Sequence, residues 1–482
     1  MSIYFSDVFC IDESIIDEYG AMNITLICDM PLFIDPFLLY ASEKPEYKEL
    51  HHGIIKYINF LREKAQGELS VENIRRWYTF PEVKQNWLGY SQNGNAGQGL
   101  GIRFGLMASN QILSAFPFSQ KEKITETLHL EKLSLFGKGI GRDNISDFTC
   151  NLIKHYLLKF TEGFATKYLN NDQCKRVSVE KVCFDYETEV WLSKSFSLPY
   201  HNGDYVILTP KDLLTKDETW INAQEMKTRF LDIVKSYPND TTRNLINELY
   251  KKELKGLDSV RAKANAFEKV LRQYPELIDC YIRLKEQEKE LAKNNSVDVI
   301  IETELFFVKN AKKLAEATQL YISDKERTSL EEARARVLFL KSFIEDKDGY
   351  RLFYHKGKAI QQEKNLQLLF KLCWFNSSWD VNAEVNNGRG SVDFKVSKGA
   401  YDSTLVEFKL ASNSKLKQNL ENQVEIYKKA NNTNNSIKAI LYFNEKEFEK
   451  LNKILDQIGH TGNENIITID ACNNKKSASN VK

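Results

Sequence analysis

Apolar positions in residues 1–240 come in short runs, among them MNITLIC, KVCFDYETEVWL and DYVILTP, interrupted by Gly, Asn and Asp. Short apolar runs bounded by turn formers predict strands mixed with helices, and so one compact α+β domain or two intertwined ones. Between 241 and 350 the pattern changes. LINELYKKELKGL, AFEKVLRQYPELIDCYIRLKEQEKELA and FVKNAKKLAEATQLYI place apolar residues at i, i+3, i+4 and i+7 among Lys and Glu, and glycine nearly disappears. That spacing puts one apolar stripe on each helix, which predicts a helical linker or oligomerisation segment. Pro275 lacks an amide hydrogen and is expected to end or kink a helix there.

From about 351 the period switches again. KAIQQEKNLQLLFKLCWF predicts an amphipathic helix over 358–375, and VNAEV, SVDFKV and STLVEFKL predict three strands at short intervals. A helix from about 415 to 430, the strand IKAILYF, the helix EKEFEKLNKILDQI and the strand NIITID follow. The expected architecture is mixed α/β: an α+β domain (1–240), a helical segment (241–350), an αβββαβ core with a trailing helix and strand (351–472), and a polar tail (473–482).

Composition adjusts this picture little. A chain of 482 residues exceeds one hydrophobic core, and a prior of roughly 100–200 residues per domain agrees with three units. Hydrophobic residues make up 42% and charged residues 28%, as in globular proteins. No run approaches the roughly 18 uninterrupted apolar residues of a membrane span. The N-terminus MSIYFSDVFCIDESIIDEYG carries acids where a signal peptide carries bases, so the expectation is a cytoplasmic protein with no membrane partner. The eight cysteines are scattered without a CxxC pair, which predicts reduced thiols and no zinc site. With a formal net charge of +1, any groove for nucleic acid must come from local clustering.

The segment GRGSVDFKVSKGAYDSTLVEFKLASNSKLKQNLENQVEIY concentrates the chemistry. Asp393 lies inside an apolar strand, where a carboxylate is costly to bury unless a cation or several hydrogen bonds compensate it. Fourteen residues on, Glu407 and Lys409 flank Phe408, and the two-residue period of a strand sends both charged side chains to one face and Phe408 to the other. A turn around Ser397, Lys398 and Gly399 would join the strands as a hairpin and bring Asp393 close to Glu407. Two carboxylates and the carbonyl between Glu407 and Lys409 are hard oxygen donors suited to Mg²⁺, with Mn²⁺ as a substitute, and an adjacent ammonium suits phosphodiester hydrolysis. Beside such a cation the Lys409 pKa is expected to fall. Lys415 and Lys417 are candidate phosphate contacts, and so is Arg389, which sits between two glycines. A solvated hairpin face is the competing explanation for the acids and the lysine.

Val392-Asp393 followed by Glu407-Phe408-Lys409, within this order of helix, hairpin, helix and strand, resembles the PD-(D/E)XK nuclease superfamily over residues 355–470. Val392 stands where that family has its leading proline, a departure that removes no ligand. The resemblance implies a restriction-endonuclease-like core, metal ligation by Asp393 and Glu407, and a catalytic lysine at Lys409. It further implies a metal-binding or catalytic role for Glu363 on the preceding helix. Gln423 and Tyr427 on the following helix would touch metal-bound water, backbone or nucleic acid. The implied activity is hydrolysis of nucleic acid, DNA first, of the kind found in bacterial defence against phage, with a phage-derived or small-molecule trigger. An RNA-cutting toxin and a non-catalytic binding or scaffold protein, including a homo-oligomer built on the helical segment, are the alternatives.

Two glycine-rich stretches, SQNGNAGQGLGIRFG and FGKGIGRDNISDFTCNLIK, lack the GK[ST] ending of a P-loop. In the second, Asp143 and Asp147 lie four apart at an expected helix start, where helix capping competes with a ligand or metal role. Asp29 and Asp35, each near a proline, are accounted for by turn chemistry.

Overall fold

The computed structural model describes the chain except residues 1–3, 28, 90–98, 118–123, 137–138, 217, 255–258, 307–326, 348, 356–357, 360–362, 375–376, 378, 387–390, 400–401, 424–432, 434 and 476–482. It divides into two units, Met1–Ile301 and Glu302–Lys482. No helix among the described residues is long and apolar enough to cross a membrane.

The first unit is mixed, with helices predominating. Its main β element is a long antiparallel ribbon, Cys174–Asp185 against Val190–His201. The register shifts between Val179 and Cys183, where Lys181 adopts a φ of 51°, as a bulge requires. Helix Lys154–Tyr168 is tied to the ribbon by Glu162, whose carboxylate accepts the Ser197 N–H at 2.7 Å. Tyr57, Phe60, Phe80, Phe148, Phe184 and Trp191 form a connected aromatic cluster at the turn end of the ribbon.

The unit boundary differs from the expected one. Helices Asp240–Leu254, Val260–Gln273 and Leu277–Gln287 belong to the first unit rather than to a segment of their own. The last of these is locked to the preceding chain by buried polar contacts. Glu286 meets His129 at 2.9 Å, Lys285 meets Glu225 at 2.6 Å, and Asp279 pairs with Lys132. An amphipathic stripe shows that a helix covers something, but not what it covers. Pro275 stands between two of these helices, which end at Gln273 and resume at Leu277.

In the second unit, α1 (Ser329–Asp346) and α2 (Glu363–Leu372) precede the strands β1 (Asp380–Asn386), β2 (Ser391–Lys398) and β3 (Asp402–Leu410). Next comes α3 (Leu416–Gln418), which widens into a π-type turn over Asn419–Gln423. Then β4 (Asn435–Tyr442), α4 (Glu445–Gln457) and β5 (Ile466–Asp470) complete the order. The five strands form one mixed sheet in the order β5-β4-β3-β2-β1; β1, β2 and β3 run antiparallel, while β4 and β5 run parallel to β3. The core lies between α1, α2 and one sheet face, built from residues such as Val337, Leu340, Phe370, Phe394, Phe408 and Ile469. On the opposite face Ile440 packs with Leu416, Leu420, Leu451 and Leu455.

Three expectations need adjustment here. Within the helix expected over 358–375, the described helix is Glu363–Leu372, and Lys358–Ala359 instead pairs with Tyr354–His355 as a small hairpin. α1, expected in the middle segment, is a core element of this unit. The polar tail starts later than 473, since Lys475 donates to the carbonyls of Glu345 and Asp470, both at 3.0 Å.

Candidate active site

The hairpin pairs Asp402 with Lys398 and continues to Val406 opposite Phe394, so Asp393 and Glu407 follow as the next residues on their strands. Gly399 makes the turn with a φ of 71°, a left-handed conformation that favours glycine. Phe394, Val406, Phe408 and Leu410 point into the core, and strand alternation therefore carries Asp393, Glu407 and Lys409 to the other face.

Asp393 accepts the Phe408 N–H through Oδ2 at 2.6 Å. Burial raises its pKa, while the Lys409 ammonium, the Phe408 N–H and a hydrogen bond from Gln367 pull it back down. Lys409 Nζ lies 3.9 Å from Asp393 and 3.5 Å from Glu363, and it donates to the Phe408 carbonyl at 3.0 Å. Glu363 reaches the site from the first turn of α2 and accepts the Leu410 N–H at 3.2 Å. Asp393, Glu363 and Lys409 thus converge in one cluster.

Glu407 is the most enclosed of the acids, at 5% exposure. Burial pushes its carboxyl up to about 7; Lys409 and Lys438 oppose this, and Asp393 and Glu363 reinforce it. Among the described residues its side chain makes no hydrogen bond or ion pair within contact distance. The expected fall of the Lys409 pKa belongs to a cation-bound site; among its carboxylate neighbours alone the shift is upward. Desolvation disfavours its charge, but Asp393, Glu363 and Glu407 outweigh burial and hold its pKa above the ordinary value. The reason is that its charged neighbours are carboxylates rather than a cation.

The donor set suits a hard divalent cation in kind: all three acids offer oxygen, and Glu407 is a desolvated carboxylate without a side-chain partner among the described residues. The arrangement is not a ready coordination shell. Among the described residues, no group of three or more His, Cys, Asp and Glu side chains is placed to hold an ion.

Of the remaining expected residues, Gln423 ends the π-type turn, and its side chain lies outside the described set, as do Arg389 and Tyr427 entirely. Lys415 and Lys417 are exposed; Lys417 donates to Gln457 at 3.0 Å, so neither lysine joins the cluster. Two residues went unanticipated. Gln367 lies one turn beyond Glu363 on α2, and that i, i+4 spacing was the available signal. Lys438 stands beside Glu407 on β4 and is buried, and its strand contains no other charged residue.

Asp143 and Asp147 lie on helix Arg142–Leu152 in the first unit. The side-chain cap there is made by Asn144, which accepts the Gly141 N–H at 3.0 Å, so neither aspartate caps by hydrogen bond. Asp143 is exposed, 3.7 Å from Arg142. Asp147 is turned inward, and burial, followed by the charges of Glu82, Asp143 and Asp29, pushes its carboxyl up to about 8. Asp35 caps helix Pro36–Ala41 by accepting the Phe37 N–H at 3.0 Å and also takes the Trp220 N–H at 2.6 Å.

Residues 10–222 match the family model described as Domain of unknown function (DUF8370), and residues 329–445 match Domain of unknown function (DUF8371). The second match runs from α1 to the start of α4 and contains Glu363, Asp393, Glu407, Lys409 and Lys438. No curated protein and no solved structure matches the chain.

Proposed function

We propose that the second unit is a metal-dependent nuclease of the PD-(D/E)XK type that hydrolyses phosphodiester bonds, with DNA as the first substrate to test and phage defence as its setting. The observation that carries this reading is the convergence of Asp393 and Glu363 within 3.5–3.9 Å of Lys409 beside the buried Glu407, where the pairing of the hairpin ends. The element order helix, three strands, helix, strand supports it, since the PD-(D/E)XK resemblance implies that order.

Asp393, Glu407 and Glu363 would hold Mg²⁺, which when bound supplies Lewis acidity and a water nucleophile at neutral pH. The protein's own groups do the positioning. The Phe408 N–H orients the Asp393 carboxylate, and the Leu410 N–H orients Glu363. Lys409, kept charged by three acids, is placed to neutralise charge that develops on a phosphoryl oxygen. Phe408 anchors both functional neighbours by filling the core beneath them.

The test uses full-length protein with Mg²⁺ on plasmid, linear duplex, single-stranded DNA and RNA. Wild type is expected to cleave one class. Asp393→Ala and Lys409→Ala are expected to lose about a hundredfold or more, the order seen when one charge-stabilising group is removed from an active site. Cleavage that persists equally in both variants, or none by wild type on any substrate, ends the reading.

One observation favours a binding-only module: Lys409 already compensates the acids, and among the described residues no ready coordination group exists. Calorimetric titration with Mn²⁺ separates the two. A binding-only module shows no heat that Asp393→Ala abolishes.

A further inference from the structure

Lys438 is 6% exposed and is the one charged residue of a strand covered on both faces. A buried ammonium at such a position is costly unless it is matched by acceptors and an opposite charge. In the parallel register of β3 and β4, Lys438 stands opposite Glu407, while its partner on β5 is the apolar Ile466. Lys438 thus neighbours an acid on the β3 side. Its Nζ donates to the Leu420 carbonyl at 2.6 Å.

Leu420 belongs to the π-type turn Asn419–Gln423, a helical irregularity that recurs at functional sites. Leu416 and Leu420 pack against Ile440, Leu451 and Leu455, and Lys438, two residues before Ile440 on the same strand face, donates to the Leu420 carbonyl. One side chain thus sits at the strand position beside Glu407 and reaches the backbone of the segment that follows the hairpin.

We infer that Lys438 is a positioning residue that clips the Leu416–Gln423 segment onto the sheet beside Glu407. Its service to a metal rests on the nuclease reading, whereas the clip itself does not. The helical segment is thereby fixed to β4 at the position paired with Glu407 on β3. Removing the ammonium leaves the Leu420 carbonyl without this donor and Glu407 without its cross-strand cation.

The experiment takes the full-length wild type, Lys438→Met, Lys438→Arg and Asp393→Ala through two measurements, backbone hydrogen exchange by mass spectrometry and Mn²⁺ titration calorimetry. In Lys438→Met, exchange of the 416–423 amides is expected to quicken by about tenfold or more, the loss of a hydrogen bond to a charged group. The amides of β4 and β5 should stay within about twofold, since distant elements open independently. Lys438→Arg, which keeps the charge and donor, should restore the slow exchange. Mn²⁺ affinity in Lys438→Met should fall by about 10–100-fold, as when the shell that positions a metal ligand is loosened, because the segment beside Glu407 is no longer held in place. Unchanged exchange at 416–423, or acceleration spread equally through β3, β4 and β5, overturns the clip. Wild-type Mn²⁺ affinity in Lys438→Met overturns its service to Glu407. If wild type itself takes up no Mn²⁺, the nuclease reading and that service fall together, and the exchange data alone decide the clip.

Discussion

At the level of single residues, the two units pose opposite questions about carboxylates. Glu363 accepts a backbone N–H and faces Lys409 at 3.5 Å, so Glu363→Gln keeps an acceptor for Leu410 and removes only the charge. Cleavage by Glu363→Gln is expected to fall by about 10–100-fold with an unchanged thermal transition, as for groups that orient an active residue. A parallel fall in melting temperature would assign Glu363 to stability instead. Asp147 is half-buried among the acids Glu82, Asp143 and Asp29, and its folded pKa of about 8 exceeds the roughly 3.9 of an unfolded aspartate. The folded state thus binds this proton more tightly, and its contribution to stability is full below pH 4, declines between pH 4 and about 8, and is gone above that. Asp147→Asn, which cannot ionise, should melt higher than wild type at pH 8, with the gap closing toward pH 4. A variant that melts lower at pH 8 would show that the native carboxylate is held ionised by a partner.

Elements are held in register by a few polar contacts at their ends. Thr328 and Glu331 form a capping box at the start of α1, and Ser329 then docks that end onto the hairpin. The Asp402 carboxylate accepts the Ser329 N–H at 2.7 Å and its hydroxyl at 2.5 Å, and Thr404 meets the same hydroxyl at 2.8 Å. This contact couples the helix that covers the core to the strand that carries Glu407 and Lys409. Asp402→Ala is expected to cost about 1–3 kcal/mol, since Ser329 is fully buried and loses its acceptor. For a unit of this size each kcal/mol lowers the melting temperature by about 2–4 °C, which differential scanning calorimetry resolves. An unchanged second-unit transition would mean that α1 is held by its apolar face alone.

For the whole molecule, the division at Ile301 and Glu302 has a direct consequence. The core beneath the candidate site draws its buried residues from Ala333 to Ala471, all within the second unit. A fragment spanning residues 327–482 is therefore expected to unfold cooperatively by itself and to cleave nucleic acid in Mg²⁺ as the full chain does. A folded but inactive fragment would show that the first unit supplies something the chemistry needs. The helices Asp240–Leu254, Val260–Gln273 and Leu277–Gln287 should in turn be required for a stable first unit, because buried pairs such as His129 with Glu286 and Lys285 with Glu225 would be broken by truncation at residue 240.

Much of the candidate site was legible in the chain because its governing rule is local. Strand alternation sends residues two apart to the same face, so Glu407 and Lys409 had to lie together with Phe408 opposed, and a short turn brought Asp393 alongside. Helical spacing likewise announced α2 and placed Glu363 near its start. What local periodicity does not carry is the identity of the neighbour across a long connection. Lys438 meets Glu407 only because β4 returns parallel to β3 after an intervening helical segment, and its register is set by packing rather than by a turn. The Lys409 pKa followed from the same cause: three acids from two strands and a helix surround it, and their sum is a property of the assembled sheet. The chain's alternation alone determined which side chains could act together, and the folded sheet decided what stands beside them, because pleat geometry acts over neighbouring residues whereas partners separated by tens of residues are chosen by the packing of the core.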